Sequence, residues 1–357
     1  VGIATRRWAV QNRPQTTILP RAEIRWDVPS GVLFGKRRPL RQHRLVADPD
    51  AADDESVHEM QLASEVARRL VSQCRAHVEK SNRKIGDRVN SAPADTPCGT
   101  DFRRATAGEH LYAFEHSIKR LEALTNALVS HLRGLQVLLS DDTFYPLPAM
   151  AIARSIAEVS SSTVWTLRQG LSSDERAARS YAALFAMLEK GIESGGAEEA
   201  PRTRALREEL AARLESGRPK VQIIRRVKDD VTLDDVAQVR VGKAGAKTRF
   251  QYTQRLRDEI PIISGLYDHM SAATHGGHAA VSASFDTPAS YARGIGHIAL
   301  ESTKAWSLAV HTWLGVTPAQ SWNEADLQNL RNSIPAADRT EFEAELAAQR
   351  EAQREGS

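Results

Sequence analysis

The chain has 357 residues, 41% hydrophobic, 26% charged and only 6% aromatic, enough for one large or two ordinary domains with a buried core. Fifteen Pro and 21 Gly exclude collagen-like and low-complexity classes, and two Cys exclude a disulfide scaffold. The net charge of +3 is unevenly spread: residues 1–50 hold ten Lys/Arg against four Asp/Glu, and the remainder holds 38 against 41.

Residues 1–52 read as an irregular basic arm, because TRRWAVQNRP and GKRRPLRQHR carry neither a 3.6 nor a 2 period. Trp8 and Trp26 interleaved with Arg offer stacking beside phosphate neutralisation, which makes nucleic acid a candidate partner for residues 1–50, against the plainer reading of a basic arm without a binding role; the partner is otherwise open. No stretch approaches the roughly 20 apolar residues of a membrane helix, and the N-terminus lacks a signal-peptide h-region. The expectation is a cytoplasmic location with no membrane partner.

Residues 53–193 form the first set of bundle helices. From Asp54 to about Glu79, Val57, Met60, Ala63, Ala67, Leu70, Cys74 and Val78 recur every three or four positions, which predicts an amphipathic helix. NSAPADTPCGTD then reads as a loop. A 3/4 rhythm from Leu111 to Leu138 predicts a helix over about Ala107 to Leu139, roughly 40–50 Å long. After DDTFYPLP, Pro148 opens a helix that runs to about Arg168, and Ser172 with Glu175 makes a capping box for another reaching Ile192.

Residues 194–250 change character. SGGAEEAP reads as an exposed hinge and RTRALREELAARLES as a short charged helix; VQIIRRV and VAQVRV alternate β-branched and charged residues and predict a β-hairpin or pair of short strands. Helices resume over residues 251–316, from Gln251 to Thr274 with a break near Pro261 and from Ala289 to Leu314. Residues 317–357 read as peripheral helices and a charged tail. The fold class expected is all-α, a multi-helix bundle with a small β-hairpin insertion.

Several motifs fail on inspection. GKAGAKT at 242–248 lacks the glycines of a phosphate-binding loop, since Ala246 and Val241 stand where their missing Cβ atoms are needed. TLDDVAQVRVGKAGAKTRF resembles the opening of the lactose-repressor helix-turn-helix, but its glycine is out of register at the turn, and alternating Val residues explain VAQVRV better as a strand. Cys74, His77 and Cys98 lack the paired spacing of a zinc site, and Cys74 continues an apolar stripe. Neither metal nor cofactor is expected.

Two polar stripes remain. Arg154, Glu158, Ser161 and Trp165 share one face of an Ala-rich helix with no other charge between Leu147 and Arg168, so Arg154 and Glu158 are expected to form a buried pair. Tyr267, Ser271 and His275 follow at i, i+4 and i+8, ended by Gly276 and Gly277, which puts His275 at a helix C-terminus. Facing each other, the stripes would build a polar cluster inside the bundle.

The succession MAIARSIAEVSSSTVWTL, SSDERAARSYA, a β insertion and GLYDHMSAATHGG resembles a group of uncharacterised actinobacterial helical proteins sharing Arg-x3-Glu, Glu-Arg-Ala-x-Arg and Tyr-x3-Ser-x3-His-Gly, from Leu147 to about Leu314. No activity comes with that resemblance. More distantly, the polar interior is similar to HEPN domains, some of which are endoribonucleases with Arg-x4-6-His on one helix. Four such pairs occur here, Arg37 and Arg38 before His43 and Arg103 and Arg104 before His110, about the number chance predicts.

The leading expectation is a non-enzymatic or accessory bundle holding a polar ligand, with Tyr267, Ser271, Arg179 and Trp165 as ligand-binding residues. The alternatives are a metal-independent endoribonuclease, with His275, Arg154 and Glu158 as the catalytic set, His275 being general acid or base and Arg154 or Arg179 binding phosphate, and nucleic-acid binding through the arm.

Overall fold

The structure is a computed structural model and describes residues 54–140, 145–217, 219–228, 231–249, 251–264 and 288–316. Eight α-helices and one three-stranded antiparallel sheet make up these residues: α1 (Asp54–Ser91), α2 (Pro97–Thr106), α3 (Leu111–Leu138), α4 (Pro146–Leu167), α5 (Ser173–Ser194), α6 (Glu199–Ser216), β1 (Val221–Lys228), β2 (Val231–Val241), β3 (Ala244–Lys247), α7 (Tyr252–Glu259) and α8 (Pro288–Trp313). A single 3-10 turn, Pro261–Ile263, follows α7. The mainly-α bundle with a small β insertion is therefore the observed fold. No helix among the described residues is long and apolar enough to cross a membrane.

The larger apolar core lies between α1, α3, α4 and α8. The α1 stripe Ala63, Ala67, Leu70, Cys74 and Val78 is buried there, as its spacing predicts, beside Leu128, Leu132 and Leu135 of α3 and Trp306 and Trp313 of α8. A second core joins α5 and α6 to the sheet through Tyr181, Phe185, Leu188, Val221, Val239 and Val241.

Four sequence expectations need correction. Helix α1 continues past Glu79 to Ser91, because Ile85 and Val89 extend its buried stripe. The stretch read as a loop contains α2: Pro97 opens the helix, and the Thr96 hydroxyl accepts from the Gly99 amide (3.1 Å) while donating to the Pro93 carbonyl (2.7 Å). Gly99 is required there, since a Cβ would fall 2.0 Å from that carbonyl oxygen. The predicted hinge is shorter than SGGAEEAP, as α6 already starts at Glu199.

The hairpin gains a third strand. β2 pairs with β1 in the register Val221↔Val241 and Ile223↔Val239, and with β3 as Val241↔Ala244. Gly242, at φ 57°, and Lys243 form the two-residue turn between β2 and β3. GKAGAKT is thus a hairpin, which removes both the phosphate-loop and the helix-turn-helix readings of that segment.

Candidate anion site at the arginine-tryptophan cluster

The capping box forms as its spacing predicts. Ser172 Oγ accepts from the Glu175 amide (3.2 Å) and the Glu175 carboxylate accepts from the Ser172 amide (2.7 Å). The first turns of α5 are thereby fixed, and the motif Glu175-Arg176-Ala177-Ala178-Arg179 sends its two guanidiniums to different places.

Arg179 turns toward α4 and α7. Its Cζ lies 5.4 Å from the Trp165 ring centroid, and its Nη1 donates to the Trp165 carbonyl. Arg255 of α7 stands 4.7 Å from the same ring and 5.6 Å from that of Tyr252. Arg120 of α3 completes the group, its Nη1 donating to Thr166 Oγ1 (3.2 Å), while Arg255 Nη1 donates to Ser162 Oγ (2.8 Å). The hydroxyl-rich run Ser160–Thr166, unusual for a helix interior, is what holds these guanidiniums.

The acid inside this cluster is Glu259, whose carboxylate is 3.3 Å from Arg168 and 3.7 Å from Arg179. Glu175, engaged by its cap, and exposed Asp258 stand at the edge. Burial pushes the Glu259 carboxyl up, opposed by Arg168 and Arg179. Burial, and then the nearby Arg120 charge, brings the Arg255 guanidinium down to about 9. Burial also lowers Arg120 and Arg179.

Arg120 is the exception in bonding. No carboxylate pairs with it among the described residues; Thr166 is its hydrogen-bond acceptor. It forms one wall of a small, solvent-open cleft, whose other walls include Ser117, Leu121, Leu124 and Thr163.

Of the residues expected from sequence, Arg179 and Trp165 come together in this cluster. Arg154 and Glu158 form their pair at 2.8 Å on α4, but with side chains 19% and 24% exposed, so the pair is only partly buried. Trp165 is eleven positions further on, about 16 Å along the helix. Tyr267, Ser271 and His275, and the arm over residues 1–50, lie outside the described residues. Sequence reasoning missed Arg120, Arg255 and Glu259. Arg255 and Glu259 sit four apart on α7, a spacing that marks one helix face, but QRLRDE reads equally as a solvated surface.

Arg176 goes the other way. Its Nε and Nη2 donate to the Asp101 carboxylate (2.6 and 2.8 Å), which also accepts from Ser173 Oγ (2.6 Å) and Trp313 Nε1 (3.1 Å). All four lone-pair positions of that carboxylate are filled, so α2, α5 and α8 are tied through one residue.

No family model, curated protein or solved structure matches this chain. The fold and the geometry of its polar clusters are therefore the ground on which function is argued.

Proposed function

We propose that the protein is an accessory, non-enzymatic binding protein whose bundle takes the anionic group, phosphate or carboxylate, of a small polar ligand at the arginine-tryptophan cluster. The observation that carries this reading is Arg120: a guanidinium lowered by burial, facing a cleft and bonded to a hydroxyl rather than a carboxylate. A desolvated cation without a counter-charge is unfavourable, and an arriving anion relieves that cost. Arginine supplies the planar fork that carboxylate and phosphate oxygens accept from, and Arg179 belongs to the same cluster through Arg255, which feels the charge of both. The two free, buried thiols Cys74 and Cys98 suit the reducing cytoplasm.

Calorimetric titration with inorganic phosphate, sulfate and acetate at low ionic strength tests this. Saturable binding is expected for at least one, weakened about tenfold or more by Arg120→Gln and by Arg179→Gln, the loss typical of a charge-assisted hydrogen bond. Absence of saturable binding by all three anions, or affinities unchanged in both variants, overturns the reading.

A further inference from the structure

The two faces of the sheet differ in character. Two cross-strand rows, Val221 with Val241 and Ala244 and Ile223 with Val239 and Ala246, pack on α5 and α6. Strand alternation turns the intervening rows outward: Gln222 with Arg240 and Gly245, and Ile224 with Gln238 and Lys247. Gln222, Arg240, Gly245 and Lys247 are exposed, and Ile224 and Gln238 are half-buried. Lys243 is exposed in the turn between β2 and β3, and Lys220, also exposed, precedes β1 in the same alternation as Gln222.

Positive charge is concentrated in this segment. Residues 218–249 hold nine Lys/Arg against four Asp, an excess of five in a chain whose net charge is +3. Three of the nine are paired: Arg225 with Glu208, Arg226 with Asp235 (3.1 Å), and Arg249 with Glu193 (3.2 Å) and Asp235 (3.4 Å). Lys220, Arg240, Lys243 and Lys247 have no carboxylate partner among the described residues. Asp174, beside Gly242, is engaged by Arg104 (2.7 Å), and exposed Asp234 lies in the bulged stretch between Thr232 and Val236. Arg240 and Lys247 are diagonal neighbours on adjacent strands, about 7 Å apart at Cα, with amides rather than acids beside them. Gly245 keeps the third strand bare: a Cβ there would fall 2.5 Å from Gln238 Nε2, so the Gln238 amide lies across open backbone.

We propose that this outward sheet face docks double-stranded DNA, with Lys220, Arg240, Lys243 and Lys247 on the phosphates and the Gln222 and Gln238 amides offered to the groove. Four unpaired cations on a face held rigid by the core beneath it complement a polyanion of regular spacing, and the counterions they displace drive association. The outward rows contain no aromatic ring, so the stacking platform on which single strands are held is missing. Amides that donate and accept at once suit base edges, and the major groove of DNA admits paired strands where that of duplex RNA is too narrow. The proposal depends neither on the arginine-tryptophan cluster nor on residues 1–50.

The test is fluorescence anisotropy of a labelled DNA duplex with the full chain between about 50 and 200 mM salt. A variant carrying Arg240→Gln, Lys243→Gln and Lys247→Gln should melt as the wild type does, bind about tenfold or more weakly at low salt, and lose about 2 to 3 from the slope of log affinity against log salt. A control carrying Lys119→Gln, Arg202→Gln and Arg204→Gln, exposed on α3 and α6, removes the same charge and should stay within about twofold of the wild type. Should the triple sheet variant melt lower, Arg240→Gln and Lys247→Gln singly are expected to cost about 0.9 of slope each. The proposal is overturned if the duplex shows no salt-dependent binding, if the sheet variants keep the wild-type affinity and slope, or if the control loses as much as they do. Tighter binding of single-stranded RNA or of polyglutamate than of the duplex overturns it as well. Because calorimetry with small anions reads Arg120 separately, either proposal can fail alone.

Discussion

Arg176 and Arg179 are three residues apart on one helix and have opposite surroundings. Arg176, 7% exposed, is matched hydrogen bond for hydrogen bond by Asp101, which Ser173 and Trp313 then complete. Arg179 shares its region with Arg120, Arg168 and Arg255, and the acid within their midst is Glu259. The difference teaches how to read buried charge: a guanidinium whose partners are all supplied by the protein holds helices together, whereas Arg120, with the Thr166 hydroxyl as acceptor and no carboxylate partner among the described residues, retains capacity for a ligand. A hydrophobic replacement should therefore have opposite consequences at the two places.

The largest effect is expected at the satisfied cluster. Asp101→Ala strands the Arg176 guanidinium in the interior and should cost about 3–5 kcal/mol in denaturant unfolding, the usual penalty for breaking one side of a buried pair. A loss below about 1 kcal/mol would show that the Asp101 network does not tie α2, α5 and α8 together.

A smaller loss should come with acid. Burial, aided by Arg120 and Lys119, lowers His116 from an ordinary 6.5 to about 4. The unfolded chain then binds a proton that the folded chain refuses, so this contribution is complete above pH 6.5 and disappears as pH falls toward 4, amounting to about 3 kcal/mol at most. Unfolding free energies measured across that window should slope downward with acid in the wild type and less steeply in His116→Gln; identical slopes would contradict the assignment.

The smallest effect is expected where the sequence suggested a large one. With its side chains about a fifth exposed, the Arg154–Glu158 pair should lose about 1 kcal/mol or less in Glu158→Ala, in line with solvent-screened i, i+4 pairs. A melting shift as large as that of Asp101→Ala would restore the buried-pair reading.

What sequence could reveal follows from the range of the interactions. Helices α1, α3, α4 and α5 were legible because their stripes and caps are local: Leu128, Leu132 and Leu135 declare a buried face, and Ser172 with Glu175 declares a start. Helix α2 was hidden because Pro and Gly in PCGTD look like loop chemistry, whereas Pro97 and Gly99 serve a helix entry closed by Thr96. At the site, Trp165 and Arg179 stood out, but their partners Arg120 and Arg255 lie 45 residues before and 90 after Trp165 on other elements. No periodicity links residues so far apart. His110 was visible as the end of an Arg-x5-His spacing, yet what sets it apart, a left-handed backbone and an unpaired ring nitrogen, is written only in three dimensions.

Arg120→Met tests the central claim most directly. Methionine fills a similar volume without a charge, so in anion-free buffer the variant should melt at the same temperature as the wild type or higher, because a desolvated cation lacking a carboxylate has been removed. Adding phosphate or sulfate should then raise the wild-type melting temperature by mass action and leave the variant where it was. A variant that melts several degrees lower in anion-free buffer, and that gains as much from phosphate as the wild type does, would contradict the claim that Arg120 is held ready for an anion.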